Sequence, residues 1–150
     1  MVVAESQTKG KGKPGRSWFS PKGSGLYLSA IVKPFKNPSD LSPITFYCAQ
    51  AVVETFKSAA GISAAIKLPN DVLINGKKVC GILLEGVASG HLIIGIGLNV
   101  NTSRESFPDE LKANATSLKI ETGQDFEIPA LVDALLGELE REYLAYLNEV

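Results

Sequence analysis

A short segment near the start of the chain alternates glycines with basic side chains. It runs Lys9-Gly10-Lys11-Gly12-Lys13-Pro14-Gly15-Arg16. Glycines allow backbone N–H groups to approach an anion closely. Lys11, Lys13 and Arg16 supply positive charge, and arginine can add a bidentate phosphate contact. The pattern predicts a flexible loop that binds a phosphate or carboxylate; a solvated basic loop that contacts nucleic acid nonspecifically is the alternative.

The glycines of this loop formally match a dinucleotide-binding fingerprint, Gly10-x-Gly12-x-x-Gly15, and we reject the match. That fingerprint needs a helix directly after the glycines, so that its N-terminus meets the pyrophosphate. Here a turn-forming stretch, residues 20–25, intervenes before a strand, and no ribose-binding acid follows about twenty residues on. No Gly-Lys-Ser/Thr opens a helix either, which excludes a Walker loop.

A second polar group is Lys67-Leu68-Pro69-Asn70-Asp71, followed by Lys78. Pro69 disfavours helix at Leu68 and marks a turn. If Lys67 and Lys78 return to one cleft, two lysines and an aspartate suit a nucleotide and its metal, with Asp71 as the candidate Mg²⁺ or ribose ligand. An ordinary polar turn is the alternative.

Three further residues have open roles. Trp18, just after the basic loop, suits packing on a nucleotide base or a place in the core. Asn99 ends an apolar run in which Gly95 and Gly97 indicate bulging or close approach by another group; it is a candidate site residue or a turn former. His91 is the sole histidine, so a Ser/His/Asp triad or a histidine-rich metal site is not expected.

Two amphipathic helices are predicted to support these residues. The first has Ser42 as its cap, Pro43 in its first turn and Gly61 at its end. Its apolar face is listed as Ile44, Tyr47, Cys48, Ala51, Val52 and Phe56. The second follows Pro129 and carries an apolar stripe at helical spacing, listed as Leu131, Val132, Leu135, Leu136, Leu139, Tyr143 and Leu147.

The remaining patterns are those of strands. Residues 26–32 and 91–98 read as strands, and residues 71–85 read as a hairpin whose Asn75-Gly76 indicates a type I′ turn. The chain opens within a strand-like segment, Val2 to Glu5, which we interpret as a core strand of a truncated domain. Hairpins between helices, without strict βαβ alternation, predict an α+β domain with a mixed, largely antiparallel sheet.

Bulk composition bounds the function. The 150 residues are 45% hydrophobic and 21% charged, which fits one globular domain. The net charge of -1 gives no overall basic surface for nucleic acid, so anion binding must be local. No apolar run is long enough for a membrane span. Cys48 and Cys80 suit buried free thiols in a reducing cytoplasm.

Taken in order, these stretches resemble biotin–protein ligases. The resemblance covers nearly the whole chain and rests on the following residues: Glu5 to Pro21, Leu26-Tyr-Leu-Ser29, Lys67-Leu-Pro-Asn-Asp71, Lys78-Val-Cys-Gly-Ile-Leu-Leu-Glu85, Gly95-Ile-Gly-Leu-Asn-Val-Asn101 and Ala115-Thr-Ser-Leu118. It implies a sheet with helices related to class II tRNA synthetase cores and lipoate ligases. Residues 1–150 would form one catalytic domain, truncated at both ends.

The resemblance also implies roles for individual residues. Gln7 would touch biotin, Trp18 would lie at the adenine, and Asn99 would lie near the nucleotide. The loop with Gly10, Lys11, Gly12, Lys13 and Arg16 would close over biotin and the adenylate phosphate. A third group would lie near the phosphates, the metal and the biotin carboxylate: Lys67, Asn70, Asp71 and Lys78. Gly81 would also contact biotin or the adenylate. The catalytic set would be Lys78, Lys13 and Lys67, with Asp71 as the Mg²⁺ ligand.

The implied reaction has two steps. Biotin and MgATP, as substrate and co-substrates, give biotinyl-5′-AMP and pyrophosphate. A lysine of a carboxylase's biotin carboxyl carrier domain then attacks the adenylate. No tightly bound prosthetic group, no DNA and no membrane partner is expected, and the resemblance is compatible with a homodimer. A lipoate or octanoate ligase or transferase is the nearest alternative, and a ligand-binding fragment without activity is another.

The sequence departs from the family pattern at several places. Lysines stand at 11 and 13 where arginine is usual, which keeps the charge and loses the planar fork. Leu68 stands where tryptophan is usual. An upstream Ser-Thr-Asn segment that lines the biotin pocket, a small C-terminal β-domain and a DNA-binding winged helix have no counterpart here.

Overall fold

Six strands form one sheet in the computed structural model, which describes residues 1–34 and 41–149. The strands are β1 (Val2–Ala4), β2 (Gly25–Val32), β3 (Ala65–Lys67), β4 (Asp71–Ile74), β5 (Lys77–Gly86) and β6 (Leu92–Asn99). Their order across the sheet is β1-β2-β6-β5-β4-β3, and neighbouring strands are antiparallel throughout. The α+β architecture is therefore confirmed, with an antiparallel sheet.

In the described ranges, four helices accompany the sheet: α1 (Ser42–Ala60), α2 (Asp109–Lys112), α3 (Leu118–Thr122) and α4 (Ile128–Glu149). The long helices α1 and α4 pack against each other, α1 against β3, β4 and β5, and α4 against β2. The predicted apolar stripes face this interface, with Phe56 and Leu135 fully buried. Burial of one face of each element drives this layered packing.

Helix α1 begins one residue earlier than the sequence indicated. Leu41 occupies the N-cap position without a side-chain hydrogen bond. Its carbonyl already accepts from the Thr45 backbone N–H at 3.1 Å and from the Thr45 hydroxyl at 3.0 Å. The prediction that Ser42 caps the helix is therefore wrong, because Ser42 lies in the first turn. Pro43 in that turn and a left-handed Gly61 at the end are confirmed.

The opening strand is shorter and more exposed than expected. β1 covers Val2–Ala4 and, within the described residues, pairs only with β2, at one edge of the sheet. Val2 is 67% exposed and Val3 41% exposed. The interpretation of this segment as a core strand is wrong, because an edge strand has one partner and its side chains lack cover.

Three short elements were not predicted at all: β3, α2 and α3. Each has three to five residues, too few to show a hydrophobic period. Among the described residues, no helix is long and apolar enough to cross a membrane.

Candidate active site

The face of the sheet opposite the helices carries the candidate site. Strand residues alternate between faces, and the core takes Leu26 and Leu28 of β2 and Ile94 and Ile96 of β6. The residues between them point the other way and form rows across the strands. One row joins Asp71, Gly81, Gly97 and Tyr27, and the next joins Leu83, Gly95 and Ser29. Glycines at the centre of both rows leave the middle of this face hollow.

A bulge in the β4–β5 hairpin places Lys78 on this face. Near the sheet centre Val72 pairs with Cys80, whereas near the turn Leu73 pairs with Lys78. Val79 is the extra residue, and both Val79 and Cys80 are fully buried. A bulge redirects the side chains beside it. In regular alternation from Cys80, Lys78 would point into the core; with the bulge it points into the hollow.

Lys78 lies between an acid and an aromatic ring. Its Nζ is 2.7 Å from Asp71 Oδ1 and 5.3 Å from the centroid of the Trp18 ring. Both members of the ion pair are partly buried, so their interaction is less screened by solvent than that of a surface pair. The hairpin thus brings the predicted acid and lysine together, as the sequence suggested.

Trp18 is seated on the two glycines of the first row. A Cβ at Gly81 would lie 2.9 Å from Trp18 Cζ3, and one at Gly97 would lie 2.6 Å from Trp18 Cε2. Only glycine permits the ring to lie this close to the strands. Trp18 Nε1 is buried and donates no hydrogen bond to any of the described residues. The ring therefore forms a wall of the hollow and keeps a free donor there.

The basic loop folds as a small hairpin. Lys11 and Ser17 form an antiparallel β-bridge. On either side of it, Trp18 N–H donates to Gly10 O at 2.9 Å and Gly12 N–H donates to Arg16 O at 3.0 Å. At its tip, Arg16 N–H donates to Lys13 O at 2.8 Å.

The tip has the residues of a type II turn, with Pro14 at its second position and Gly15 at φ 80° in its third. Gly10 is buried behind the loop rather than in the cavity wall, where a Cβ would lie 2.5 Å from Trp18 O. Gly10 therefore serves close packing, and the cations of the loop face the hollow.

Asn70 is anchored to β5 and presents an unused acceptor. Its Nδ2 donates to Ile82 O at 2.9 Å, and Ile82 N–H donates to Asn70 O at 2.9 Å. Its Oδ1 is buried and accepts no hydrogen bond from the part of the chain that the structure describes. A buried, unpaired acceptor is costly unless a ligand or ion completes it. Asn70 Oδ1 and the adjacent Asp71 carboxylate form an oxygen donor set of the kind that Mg²⁺ accepts together with substrate phosphates.

Asn99, the last residue of β6, lies at the border of the cavity. It is buried, and its Nδ2 donates to Thr116 O at 3.1 Å. The segment 114–116 runs beside Lys78: Lys78 N–H donates to Asn114 O at 2.8 Å, and Thr116 N–H donates to Lys78 O at 2.9 Å. Asn99 therefore fixes a loop as well as bordering the cavity.

One cavity of about 750 Å³ joins these features, a size suited to a small organic ligand. Every predicted site residue except Gly10 lines it, as follows: Gln7, Lys11, Gly12, Lys13, Arg16, Trp18, Lys67, Asn70, Asp71, Lys78, Gly81 and Asn99. Leu68 is 69% exposed and is not among the lining residues. His91 Nδ1 is hydrogen-bonded to the Ser89 hydroxyl at 2.8 Å, and His91 is not among the residues that line the cavity.

Several lining residues were not predicted from the sequence. Ser29 and Leu83 lie in the second row, on either side of Gly95, and Phe107 and Leu111 come from the segment around α2. The alternation of β2 and β5 could have assigned Ser29 and Leu83 to the open face. Nothing local marks Phe107 or Leu111, because their place depends on how the chain returns over the sheet.

Fold and site together define an α+β domain with a cavity lined by basic side chains on the open face of an antiparallel sheet. Residues 1–101 match the profile of the biotin/lipoate A/B protein ligase family, and the chain belongs to that family.

Named relatives agree with this assignment. The chain is 42% identical over 152 residues to the bifunctional ligase/repressor BirA of Bacillus spizizenii, covering 99% of this chain and 47% of that protein. It is 33% identical over 147 residues to the biotin–[acetyl-CoA-carboxylase] ligase of Paracoccus denitrificans, covering 93% and 61%.

A solved structure, biotin protein ligase from Aquifex aeolicus in complex with biotin and ATP, has a TM-score of 0.89 and 34% identity, covering 97% of this chain and 61% of that one. The ligase fold inferred from the resemblance is thus confirmed. The chain spans less than two thirds of each of these three proteins.

Proposed function

We propose that this chain is the catalytic domain of a biotin–protein ligase. The observation that carries the proposal is the placement of Lys78 and Asp71, an ion pair of 2.7 Å, between the basic loop and an apolar compartment. The family assignment and the named relatives support biotin as the acid and ATP as its activator.

The cavity has an apolar part beside Leu83 and Gly95 and a charged part beside Lys78 and the basic loop. Together they suit a ligand with an apolar body and a carboxylate. A Cβ at Gly95 would meet only Leu83 atoms, at 3.4 and 3.8 Å, so the space above Gly95 is open to the cavity. Gly97, on which the Trp18 ring packs, lies two residues from Gly95 along β6, a separation of about 7 Å. A ring system above Gly95 would therefore direct a short acyl chain and its carboxylate toward Lys78.

Adenylation in such a site needs charge and positioning more than a protein nucleophile. A biotin carboxylate oxygen attacks the α-phosphorus of ATP, the bond to the β-phosphate breaks, and pyrophosphate leaves. Two anions must meet for this attack, and the ammonium groups of Lys78, Lys13 and Lys67 would oppose their repulsion. Trp18 Nε1 offers a donor to the same ligand, and its ring offers a surface to the adenine base.

Asn70 and Asp71 would hold the Mg²⁺ that accompanies ATP. Their oxygens fit a cation that keeps most of its contacts for water and phosphate. The metal would supply charge neutralisation at the phosphates. Among the described residues, no cluster of three or more His, Cys, Asp or Glu side chains is placed to hold a metal alone.

In the second step, an acceptor lysine amine attacks the acyl carbon of the mixed anhydride and AMP leaves with the bonding electrons. The acceptor would be a biotin carboxyl carrier domain, which the carboxylase in the name of the Paracoccus relative supports. Two buried free thiols support a reducing location, the cytoplasm. A homodimer and the absence of DNA binding stay predictions.

The direct test is calorimetry with biotin, lipoate and a non-hydrolysable biotinyl-AMP analogue in parallel, followed by biotin-dependent pyrophosphate release. We expect biotin and the analogue to bind, and lipoate to bind at least about tenfold more weakly, which is a difference of about 1.4 kcal/mol. Equal or tighter binding of lipoate would overturn the choice of acid in favour of a lipoate ligase.

A further inference from the structure

A carboxylate outside the cavity connects two segments that flank Lys78. Glu121 lies in α3 and is not among the lining residues. Its Oε2 accepts from Asn75 Nδ2 at 2.7 Å, and its Oε1 accepts from the Thr116 hydroxyl. Asn75 is at the tip of the β4–β5 turn, and Thr116 directly follows the bridge between Lys78 and Ala115. Glu121 thus fastens the turn that precedes Lys78 to the segment beside it.

We call the two hydrogen bonds of Glu121, to Asn75 and Thr116, the Glu121 clamp. The clamp can affect the position of Lys78 because the backbone around Lys78 is irregular. The bulge at Val79 interrupts the pairing of β4 and β5 next to Lys78. On the other side, the Lys78 backbone is held by the two hydrogen bonds to residues 114 and 116, of 2.8 and 2.9 Å. Segment 114–116 belongs to no helix or strand. Backbone hydrogen bonds to Leu111 and Lys78 hold this segment. The side chains of Glu121 and Asn99 add hydrogen bonds to Thr116.

The base of the clamp is itself well anchored. Ser117 caps α3 by accepting from Ile120 N–H at 3.1 Å, and its hydroxyl donates to Thr102 O at 2.6 Å. Ser117 and Leu118 are fully buried. A carboxylate on such a fixed turn of helix can hold the hairpin tip, whereas a mobile side chain could not.

We propose that Glu121 is a positioning residue for Lys78, acting through Asn75 and Thr116 without touching the ligand. The proposal rests on the function proposed above, in which Lys78 meets the reacting carboxylate and phosphate. Displacement of a charged group by a fraction of an ångström weakens stabilisation of the transition state more than it weakens ground-state binding. Loss of the clamp should therefore lower kcat and leave KM for biotin and ATP nearly unchanged.

The variants separate geometry from charge. Glu121→Ala removes both hydrogen bonds. In Glu121→Gln, the amide oxygen can accept from Asn75 and the amide nitrogen can donate to the Thr116 hydroxyl, so this variant should rescue the clamp without the charge. Asn75→Gly removes the hydrogen bond from Asn75 to Glu121. The variant keeps the turn, because Asn75 has φ 49°, which glycine adopts freely. Glu140→Ala, on the exposed surface of α4, is the matched control.

Biotin-dependent pyrophosphate exchange gives the kinetic test. We expect kcat about tenfold lower for Glu121→Ala, less affected for Asn75→Gly, and within about twofold of wild type for Glu121→Gln and Glu140→Ala. A double variant, Lys78→Met with Glu121→Ala, should be no slower than Lys78→Met alone, because Glu121 acts through Lys78. Full additive loss in the double variant, or equal damage by Gln and Ala, would overturn the proposal.

A second readout needs no ligand and no turnover. Trp18 is the single tryptophan, and the Lys78 ammonium lies over its ring. Glu121→Ala and Asn75→Gly should shift Trp18 emission in the same direction as Lys78→Met, while Glu121→Gln should not. If wild-type protein lacks biotin-dependent exchange, the proposed function fails, yet the emission still tests the clamp. Unchanged emission in Asn75→Gly, which keeps the fold if Glu121→Ala does not, would overturn it.

Discussion

At the scale of single residues, two neighbouring lysines of β5 lie in different surroundings. Lys77 and Lys78 have the same side chain and adjacent backbones, yet only Lys78 lines the cavity and pairs with Asp71. The pair provides an internal comparison in which chemistry, charge and element are constant. Any difference between their variants then reports the site itself.

Lys78→Ala should lower the rate of adenylation by about 10²- to 10³-fold, which is about 3–4 kcal/mol of barrier. Lys77→Ala should lie near wild type. Thermal melting should change little in either variant, because partly exposed ion pairs contribute about 1 kcal/mol or less to stability. The measurement is biotin-dependent pyrophosphate release by both variants and by the wild-type protein. A Lys78→Ala protein that retains a third of the activity would remove Lys78 from the catalytic set.

Gly97→Ala should dislodge Trp18 from its seat. The new methyl group would lie 2.6 Å from Trp18 Cε2, closer than any real contact, so the ring or the strand must move. Such overpacking typically costs about 1–3 kcal/mol. Gly86→Ala is the control, since its Cβ would make an ordinary 3.8 Å contact with Leu92. Trp18 emission and thermal melting should change in the first variant alone; a normal Gly97→Ala spectrum would contradict the seating.

At the scale of elements, residues with strong local preferences were predictable and residues placed by register were not. Asn75-Gly76 predicted the turn of the β4–β5 hairpin, because both residues adopt positive φ, here 49° and 76°. The bulge at Val79 could not be predicted from the sequence, because it arises from a mismatch between the strand register set by the turn and the register set by pairing with β6. Local sequence carries the first register only.

The basic loop offers a test at the same scale. Its hairpin is joined by few backbone hydrogen bonds and its cations repel one another, so an anionic ligand should stabilise it. We expect the amides of Gly12 and Arg16, which donate within the loop at 3.0 and 2.8 Å, to exchange faster without the biotinyl-AMP analogue than with it. Hydrogen exchange measures this, and the buried strand β6 should serve as an unaffected reference. Equal protection in both states would contradict ligand-driven ordering.

At the scale of the whole molecule, the chain's hydrophobic pattern predicted the layers and the ordered motifs predicted where the cavity would form. The helix stripes and strand alternation required one buried face on each element, and Phe56, Leu135 and Ile96 occupy it. The return of residues 102–117 over the sheet could not be predicted, because Phe107 and Leu111 follow no period. Its course is fixed by single hydrogen bonds such as that of Ser117 to Thr102.

The two thiols predict how stability depends on pH. Burial raises the pKa of Cys48 from 9.0 to about 12, and burial raises the pKa of Cys80 as well. Below pH 9 both thiols are protonated in folded and unfolded chains, and the full contribution is present. Above pH 9 the unfolded chain loses protons that the folded chain keeps, so the free energy of unfolding falls by up to about 1.4 kcal/mol per pH unit for each thiol.

Urea unfolding at several pH values between 8 and 10 measures this slope. The Cys48→Ala, Cys80→Ala double variant should be less stable throughout but flatter with pH. Native thiols should resist alkylation until the protein unfolds. Rapid labelling of either cysteine at pH 8, in protein that melts normally, would contradict the burial on which the argument depends.

The bulge at Val79 has a consequence for how this domain tolerates insertions and deletions. Strands β4 and β5 pair in two registers that differ by one residue. The turn fixes one register by pairing Ile74 with Lys77, and the sheet fixes the other by pairing Asp71 with Gly81. Lengthening the turn by one residue would bring the registers into agreement and remove the bulge, so that Val79 would face the cavity and Lys78 the core. The length of a solvent-exposed turn thus determines which side chain can take part in chemistry, and the insertion of one residue there would replace the Lys78 ammonium group inside the site with the isopropyl group of Val79.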